Sequence, residues 1–163
     1  MASSLGGSAE IALGLKEEGN QAFKKQNYPL ADELYSKAIS ELSGAQNESF
    51  AILLCNRAAV HLKVQNYIAC VTDCDNAIQI VPYMVKAIYR RAQANSALGD
   101  LNKAYSDLNL LLRLEPKKAD AINLMRTVKA GKHELLSQLV CQNKTVSRLR
   151  NSFVLFPLTQ LVP

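Results

Sequence analysis

The amino-acid sequence predicts an all-α protein built from three tandem helix-turn-helix repeats. Of its 163 residues, 48% are hydrophobic and only 6% are aromatic, and Ala and Leu dominate the apolar set. This composition favours helices packed through small and medium side chains over a sheet. Similar residues also recur 34 positions apart, among them Pro82 with Pro116 and Ala58 with Ala92. Self-similarity at such a period is typical of stacked helical hairpins.

The three copies of the repeat span residues 12–45, 51–84 and 85–118, and residues 46–50 are an insertion between the first two. Each copy predicts a first helix, a polar turn and a second helix. The first helix carries a small residue where a neighbouring helix must come close, namely Gly19, Ala58 or Ala92. The turns are Gln26-Asn27, Gln65-Asn66 and Gly99-Asp100.

The second helix of each copy begins at an apolar residue, Tyr28, Tyr67 or Leu101, and places further packing residues on one face. The corresponding packing slots hold Ala31, Tyr35 and Ala38 in the first copy, Cys70, Cys74 and Ala77 in the second, and Ala104, Leu108 and Leu111 in the third. The first copy lacks the Pro that closes the other two. Its second helix is therefore predicted to run past Ile39 to a break at Ser43-Gly44.

Residues 119–139 predict a capping helix, because a terminal repeat exposes a hydrophobic flank that needs cover. Its expected apolar positions are Ala121, Leu124, Val128, Leu135 and Leu136. The repeat domain is thus predicted over residues 9–139. A flexible N-terminus (1–8) precedes it, and a tail to which no structure is assigned (140–163) follows it.

The sequence offers little for catalysis. It contains no Gly-rich phosphate loop and no Ser/His/Asp or Cys/His arrangement, and its two histidines, His61 and His133, lack paired acids. We therefore expect no enzymatic activity, no cofactor and no metal site. The net charge of +5 would suit an acidic peptide, a phosphate backbone or an anionic membrane. Acidic residues spread through the chain and the lack of exposed aromatics for base stacking argue against nucleic acid.

The cysteines and the chain ends bear on the cellular compartment. Cys55, Cys70 and Cys74 fall on predicted core faces. Although Cys70 and Cys74 are spaced like a metal or redox pair, buried reduced thiols are the favoured interpretation. The N-terminus lacks the basic start and apolar run of a signal peptide, and no apolar stretch reaches about 20 residues. The sequence therefore predicts a cytoplasmic protein without a membrane span.

The 34-residue period, with small residues at repeat positions 8, 20 and 27 and Pro at 32, resembles the tetratricopeptide repeat over about residues 10–135. The segments Leu-Lys-Glu-Glu-Gly-Asn (15–20) and Lys-Ala-Ile-Tyr-Arg-Arg-Ala-Gln-Ala (86–94) are similar to two groups of co-chaperones. One is the myosin-folding group with a UCS domain, and the other is linked to mitochondrial outer-membrane import. The resemblance implies a right-handed superhelical solenoid.

One subclass of this family, the co-chaperone type, grips the extreme C-terminus of cytosolic heat-shock chaperones. Its pattern is a Lys and an Asn four apart in the first helix, an Asn in the third, and a Lys and an Arg four apart in the fifth. The residues that match are Lys16, Asn20, Asn56, Lys86 and Arg90. The implied partners are tails ending in Glu-Glu-Val-Asp of the 90-kDa and/or 70-kDa class, and a client protein is a further candidate partner. The resemblance also implies that Phe23 contributes to a pocket for the apolar residue beside the terminal Asp.

The chemistry of these five residues agrees with that role. A peptide ending in Asp presents two carboxylates close together, and binding both requires several cationic or amide donors in a small volume. Residues four apart share one helix face, and the first helices of such repeats line the concave surface. The groove would thus gather three cations and two amides with no counter-charge among them. A repeat scaffold with a non-chaperone partner remains the alternative. Arg57 and Arg91 are interpreted as groove-edge or structural ion-pair residues.

Overall fold

The computed structural model describes residues 4–42 and 47–153, with side chains for residues 7–42 and 47–142. Within these ranges the chain is helical and contains no strand, as the composition predicts. The helices are α1 (Ser4–Lys24), α2 (Tyr28–Glu41), α3 (Glu48–Lys63), α4 (Tyr67–Ile80), α5 (Val85–Ala97), α6 (Leu101–Leu114) and α7 (Ala119–Phe153).

The helices form three hairpins that stack in chain order. α1 packs on α2, α3 on α4 and α5 on α6, while α2 contacts α3, α4 contacts α5, and α6 contacts α7. Additional contacts of α5 with α3 and with α7 place odd-numbered helices side by side. The structure is therefore the predicted solenoid of three repeats closed by a capping helix, with the odd-numbered helices forming one layer.

In each of the three polar turns, one residue ends the first helix and the next residue caps the second helix. Gln26, Gln65 and Gly99 adopt positive φ values of 60°, 61° and 82°, which end the first helix of each repeat. The next residue begins the second helix. The side chains of Asn27 and Asn66 accept hydrogen bonds from the backbone N–H groups of Leu30 and Ala69, respectively. At the third turn, Asp100 occupies the N-cap position without such a bond.

The predicted small-residue slots are filled as expected. Ala31, Ala58 and Ala92 are fully buried, which allows the helix backbones to approach each other. The three cysteines of the predicted core, Cys55, Cys70 and Cys74, are buried and reduced, whereas Cys141 is exposed. A hydrogen bond with Cys70 and burial raise the pKa of the Cys74 thiol, and burial raises the pKa of Cys55. The thiols of Cys55 and Cys74 are therefore neutral, and all three cysteines are core residues. Nowhere in the described ranges do three or more His, Cys, Asp or Glu side chains come together as a metal site would require.

Helix boundaries at the chain ends differ from the sequence expectation. α1 begins at Ser4, within the stretch expected to be flexible, and α7 continues to Phe153 instead of ending near residue 139. No Pro occurs between Ala119 and Phe153, so nothing in that stretch forces the helix to stop. α2 runs past Ile39 to Glu41, as predicted, while the expected break at Ser43-Gly44 and residues 154–163 lie outside the described part.

Leu135 and Leu136 were expected to be packing positions of the capping helix. This expectation is wrong, because their side chains are 49% and 60% exposed. α7 runs past the beginning of α6, where Gly131 lies beside Leu101. Leu135, Leu136 and Leu139 line an open cleft together with the beginning of α6, and they are left exposed there. None of the described helices carries an apolar stretch of the kind that spans a bilayer.

Candidate functional site

The five residues of the predicted site lie on three neighbouring odd-numbered helices. Lys16 and Asn20 are on α1, Asn56 is on α3, and Lys86 and Arg90 are on α5. Lys86 is exposed and the other four are half-buried. The repeat therefore brings these donors to one layer of the solenoid, as the sequence predicts, with part of each side chain accessible to a ligand.

The two asparagine amides meet between α1 and α3. Asn56 Nδ2 donates to Asn20 Oδ1 over 3.4 Å, which is a long hydrogen bond. The same oxygen accepts a shorter bond of 2.7 Å from the hydroxyl of Tyr35, on α2. Asn20 Oδ1 is thus satisfied from within the protein by two donors.

Arg90 is held against the backbone of α3. Its Nη1 donates to the carbonyl oxygen of Cys55 at 2.9 Å and contacts the Cys55 sulfur at 2.7 Å. Burial raises the pKa of Cys55, and the charges of Arg90 and Lys86 act against that rise. Burial likewise raises the pKa of Tyr35, and Arg90 again opposes the effect. Arg90 therefore lies within electrostatic reach of both the Cys55 sulfur and the Tyr35 hydroxyl.

Lys16 has a neighbour that the sequence interpretation did not consider. Its ammonium lies 3.5 Å from the carboxylate of Glu17, and Glu17 also accepts a 3.4 Å hydrogen bond from Asn20 Nδ2. The carboxylate of Glu17 is 59% exposed, so solvent screens this pairing and it contributes little. A ligand carboxylate can replace Glu17 at both donors at small cost.

Phe23 lies one turn beyond Asn20 on α1 and is half-buried. Its ring meets the ring of Tyr28 edge-on, with centroids 5.6 Å apart and planes inclined by 65°. Much of this side chain is therefore used in packing α1 on α2. The rest of the side chain is accessible, and the contribution of Phe23 to a ligand pocket stays a prediction.

Arg57 and Arg91 form structural ion pairs, which is one of the two roles expected for them. Arg57 binds Asp73 through Nε and Nη2 at 2.9 and 2.7 Å. Arg91 binds Asp107 in the same two-pronged way at 2.9 and 2.6 Å. The hydrogen bonds that both guanidinium groups donate to these carboxylates raise the pKa of each arginine, so the charges are permanent. Both guanidinium groups are thus engaged within the scaffold.

Two residues that contact the site were assigned only to the core by sequence reasoning, Tyr35 and Cys55. Both occupy packing positions, and both are almost fully buried. A sequence signal existed for Tyr35, because the matching slots of the other repeats hold Cys74 and Leu108, which carry no hydroxyl. No comparable signal marks Cys55, whose contact to Arg90 depends on how closely α5 approaches α3.

The arrangement is suited to binding an anion. The five described residues combine three cationic side chains with two amides, of which Asn56 donates to the oxygen of Asn20 and Asn20 donates to the exposed Glu17. Charge-assisted hydrogen bonds from such groups to a carboxylate are about twice as strong as neutral ones.

The curated proteins that are similar to this chain include unc-45 homolog B and mitochondrial import receptor subunit TOM34, although no protein-family model matches the chain. It is 36% identical to protein unc-45 homolog B of Xenopus laevis over 144 residues, which are 88% of this chain and 15% of that protein. It is 38% identical to mitochondrial import receptor subunit TOM34 of Rattus norvegicus over 111 residues, 66% of this chain and 36% of that protein. The chain thus spans less than half the length of either relative.

Two solved repeat domains match over nearly their whole length. The first TPR of Spaghetti (RPAP3), bound to the HSP90 peptide SRMEEVD, has a TM-score of 0.72 and 30% identity, covering 77% of this chain and 95% of that one. The second TPR domain of human RPAP3, in complex with the HSP70 peptide SGPTIEEVD, has a TM-score of 0.68 and 34% identity, covering 75% and 98%. The chain therefore belongs to the tetratricopeptide-repeat domains of co-chaperones, the group that includes the repeat domains of UNC-45 and TOM34.

Proposed function

We propose that this domain binds the C-terminal Glu-Glu-Val-Asp tails of 90-kDa and/or 70-kDa heat-shock chaperones through Lys16, Asn20, Asn56, Lys86 and Arg90. The observation that carries the proposal is the pairing of Asn20 with Asn56 beside the anchored Arg90. Two solved neighbours support it, since the peptides named in their titles both end in Glu-Glu-Val-Asp.

In this interpretation the paired carboxylates of a terminal Asp are shared among the cations and amides of the groove. Lys16 and Asn20 exchange their bonds to Glu17 for bonds to the ligand, so few internal contacts are lost on binding. Because charge carries much of the contact, added salt weakens binding. An unrelated scaffold partner is the second candidate function, and it would not require a C-terminal carboxylate.

The domain would act as an adaptor in the cytoplasm, with no chemical step and no cofactor of its own. Binding a chaperone tail in this way places it in competition with other proteins that bind the same tail. Any client would be recruited through another surface of the domain or another part of a longer protein. The preferred class of chaperone is decided by residues of the tail other than the shared Glu-Glu-Val-Asp.

Calorimetric titration with peptides ending Met-Glu-Glu-Val-Asp and Ile-Glu-Glu-Val-Asp tests this function. Micromolar binding corresponds to about 8 kcal/mol. A hydrogen bond to a charged group contributes about 1.5–3 kcal/mol, so Lys86→Ala and Arg90→Ala should each weaken binding about 10- to 150-fold. Lys63→Ala, which removes an exposed cation at the end of α3, is the matched control.

Peptides with an amidated C-terminus complete the design. Loss of binding on amidation, together with the loss in the two variants, supports the carboxylate site, and the tighter peptide identifies the chaperone class. Binding that survives both amidation and Arg90→Ala would favour a different peptide site. Absence of binding to either peptide by a helical, folded protein would eliminate the proposed function.

A further inference from the structure

We propose that Tyr35 is a positioning residue of the carboxylate site, because its hydroxyl fixes the orientation of the Asn20 amide. The inference rests on the proposed function, since a defined amide orientation matters only if Asn20 receives a carboxylate. Tyr35 lies on α2, in the other layer of the solenoid, and contacts the site from inside the core.

The side chain reaches Asn20 because the intervening residue has no side chain. Tyr35 is 2% exposed, and its ring lies directly against the backbone of Gly19. A Cβ atom at position 19 would stand 2.7 Å from Cε1 and 3.2 Å from Cζ of the ring. The hydroxyl thus passes Gly19 and donates to Oδ1 of the next residue, Asn20, at 2.7 Å.

This hydrogen bond favours one of the two orientations of the amide. When Oδ1 of Asn20 is turned inward, it accepts hydrogen bonds from both the Tyr35 hydroxyl and Asn56 Nδ2. In the opposite orientation Nδ2 would face both donors, and the hydroxyl proton would lose its acceptor. A buried donor without an acceptor costs about 1–3 kcal/mol. The neighbouring Arg90 has only donors and cannot substitute.

The favoured orientation leaves Nδ2 of Asn20 facing outward, beside Lys16. Its internal partner is the exposed carboxylate of Glu17, at 3.4 Å, which a ligand carboxylate can replace. The opposite orientation would present Oδ1, a second acceptor, to an anionic ligand and repel it. Tyr35 therefore determines that Asn20 presents its Nδ2 donor, and not its Oδ1 acceptor, to the ligand.

The hydroxyl is not explained by packing alone. The matching slots of the second and third repeats are filled by Cys74 and Leu108, which are fully buried without any hydroxyl. The repeat with a Tyr at this slot is the one whose first helix carries Asn20. A residue needed only to fill the core would not have to end in a polar group placed 2.7 Å from a site residue.

The test is a peptide titration of Tyr35→Phe, which keeps the ring and removes the hydroxyl. We expect binding of the carboxylate peptide to weaken about 3- to 10-fold, the range of one net hydrogen bond. Tyr67→Phe, the same change at the start of α4, serves as the control and should bind as the wild type does. In an Asn20→Ala background, Tyr35→Phe should have no further effect on affinity, because its action passes through Asn20.

A readout in the unliganded protein separates positioning from general loosening of the fold. The side-chain amide resonances of Asn20, identified by their disappearance in Asn20→Ala, should shift in Tyr35→Phe and not in Tyr67→Phe. Equal affinities of Tyr35→Phe and wild type would overturn the inference and leave the proposed function intact. The inference would also be overturned if Tyr35→Phe weakened peptide binding in the Asn20→Ala background as much as it does in the wild type. If wild type binds neither peptide, the proposed function fails, and the inference fails with it.

Discussion

The contact between Gly19 and Tyr35 provides a quantitative test of the packing between α1 and α2. Replacing Gly19 by Ala should destabilise the protein even though Ala is the better helix former. Gly inside a helix is about 0.5–1 kcal/mol less favourable than Ala, so propensity alone predicts a gain. The new methyl group, however, would lie 2.7 and 2.9 Å from two atoms of a rigid aromatic ring that the core holds in place.

Overpacking of this kind costs about 1–3 kcal/mol. Subtracting the propensity gain leaves a net destabilisation of about 1 kcal/mol or somewhat more for Gly19→Ala. Gly14→Ala is the matched control, because Gly14 lies in the same helix and a Cβ there meets no atom within 4 Å. That variant should gain about 0.5–1 kcal/mol. Urea denaturation followed by far-UV circular dichroism measures both values.

Repeating Gly19→Ala in a Tyr35→Leu protein tests whether the Tyr35 ring causes the destabilisation. The third repeat pairs Ala92 with Leu108 at the positions that hold Gly19 and Tyr35 in the first. Changing Tyr35 to Leu recreates that smaller neighbour, so Gly19→Ala should become neutral or stabilising in the Tyr35→Leu protein. The coupling expected from the cycle is about 1–3 kcal/mol, the whole overpacking cost. Equal effects of Gly19→Ala in the two backgrounds, or a Gly19→Ala protein as stable as Gly14→Ala, would refute the reasoning.

Three further predictions concern the turns, the ion pairs and the thiols. Gln65→Gly should stabilise the fold by about 0.5–1 kcal/mol and Gly99→Ala should destabilise it by about 1 kcal/mol in urea denaturation, because both positions have positive φ; a loss of stability in Gln65→Gly would contradict this. Asp107→Ala should cost about 2 kcal/mol by leaving Arg91 partly buried with only the more exposed Asp75, and the cost should shrink in an Arg91→Met background. In a thiol assay Cys141 should react in the native protein, and the other three thiols should react only on unfolding, because they are buried and a raised pKa lowers the thiolate fraction of two of them; fast labelling of all four would contradict the core assignment.

The sequence predicts the fold well because its evidence is local and repeated. A period of 34 residues appears in small residues, turns and prolines at once, and each of these has its own physical requirement. The helix around Ala92 therefore begins at Val85, where the pattern places the third repeat, whereas the helix around Ala58 begins at Glu48, within the predicted insertion. The same reasoning places Lys16 and Asn20 on one helix face, since only the geometry of α-helices is needed.

The features that were missed depend on distances between helices. The exposure of Leu135 and Leu136 depends on the open cleft between α7 and the beginning of α6, and the sequence of α7 does not contain that information. The contact of Cys55 with Arg90 requires α5 to approach α3 closely enough for a side chain to reach a backbone carbonyl. Similarly, Gln65 was recognised as a turn residue, but its positive φ was not, because Gln has no special preference for that conformation.

The first repeat departs from the other two at Gly19 and Tyr35 together, and neither departure is favourable alone. Tyr35 beside Ala would clash, whereas Gly19 beside Cys or Leu would leave a gap and forfeit helix stability. Combined, they place a buried hydroxyl 2.7 Å from Asn20, and the other repeats have no such group at this slot. The helix-forming cost of Gly19 is thus offset by burial of an aromatic ring and by a hydrogen bond to a residue of the binding groove. The pair therefore acts as one unit that links the core of the first repeat to its ligand-binding face.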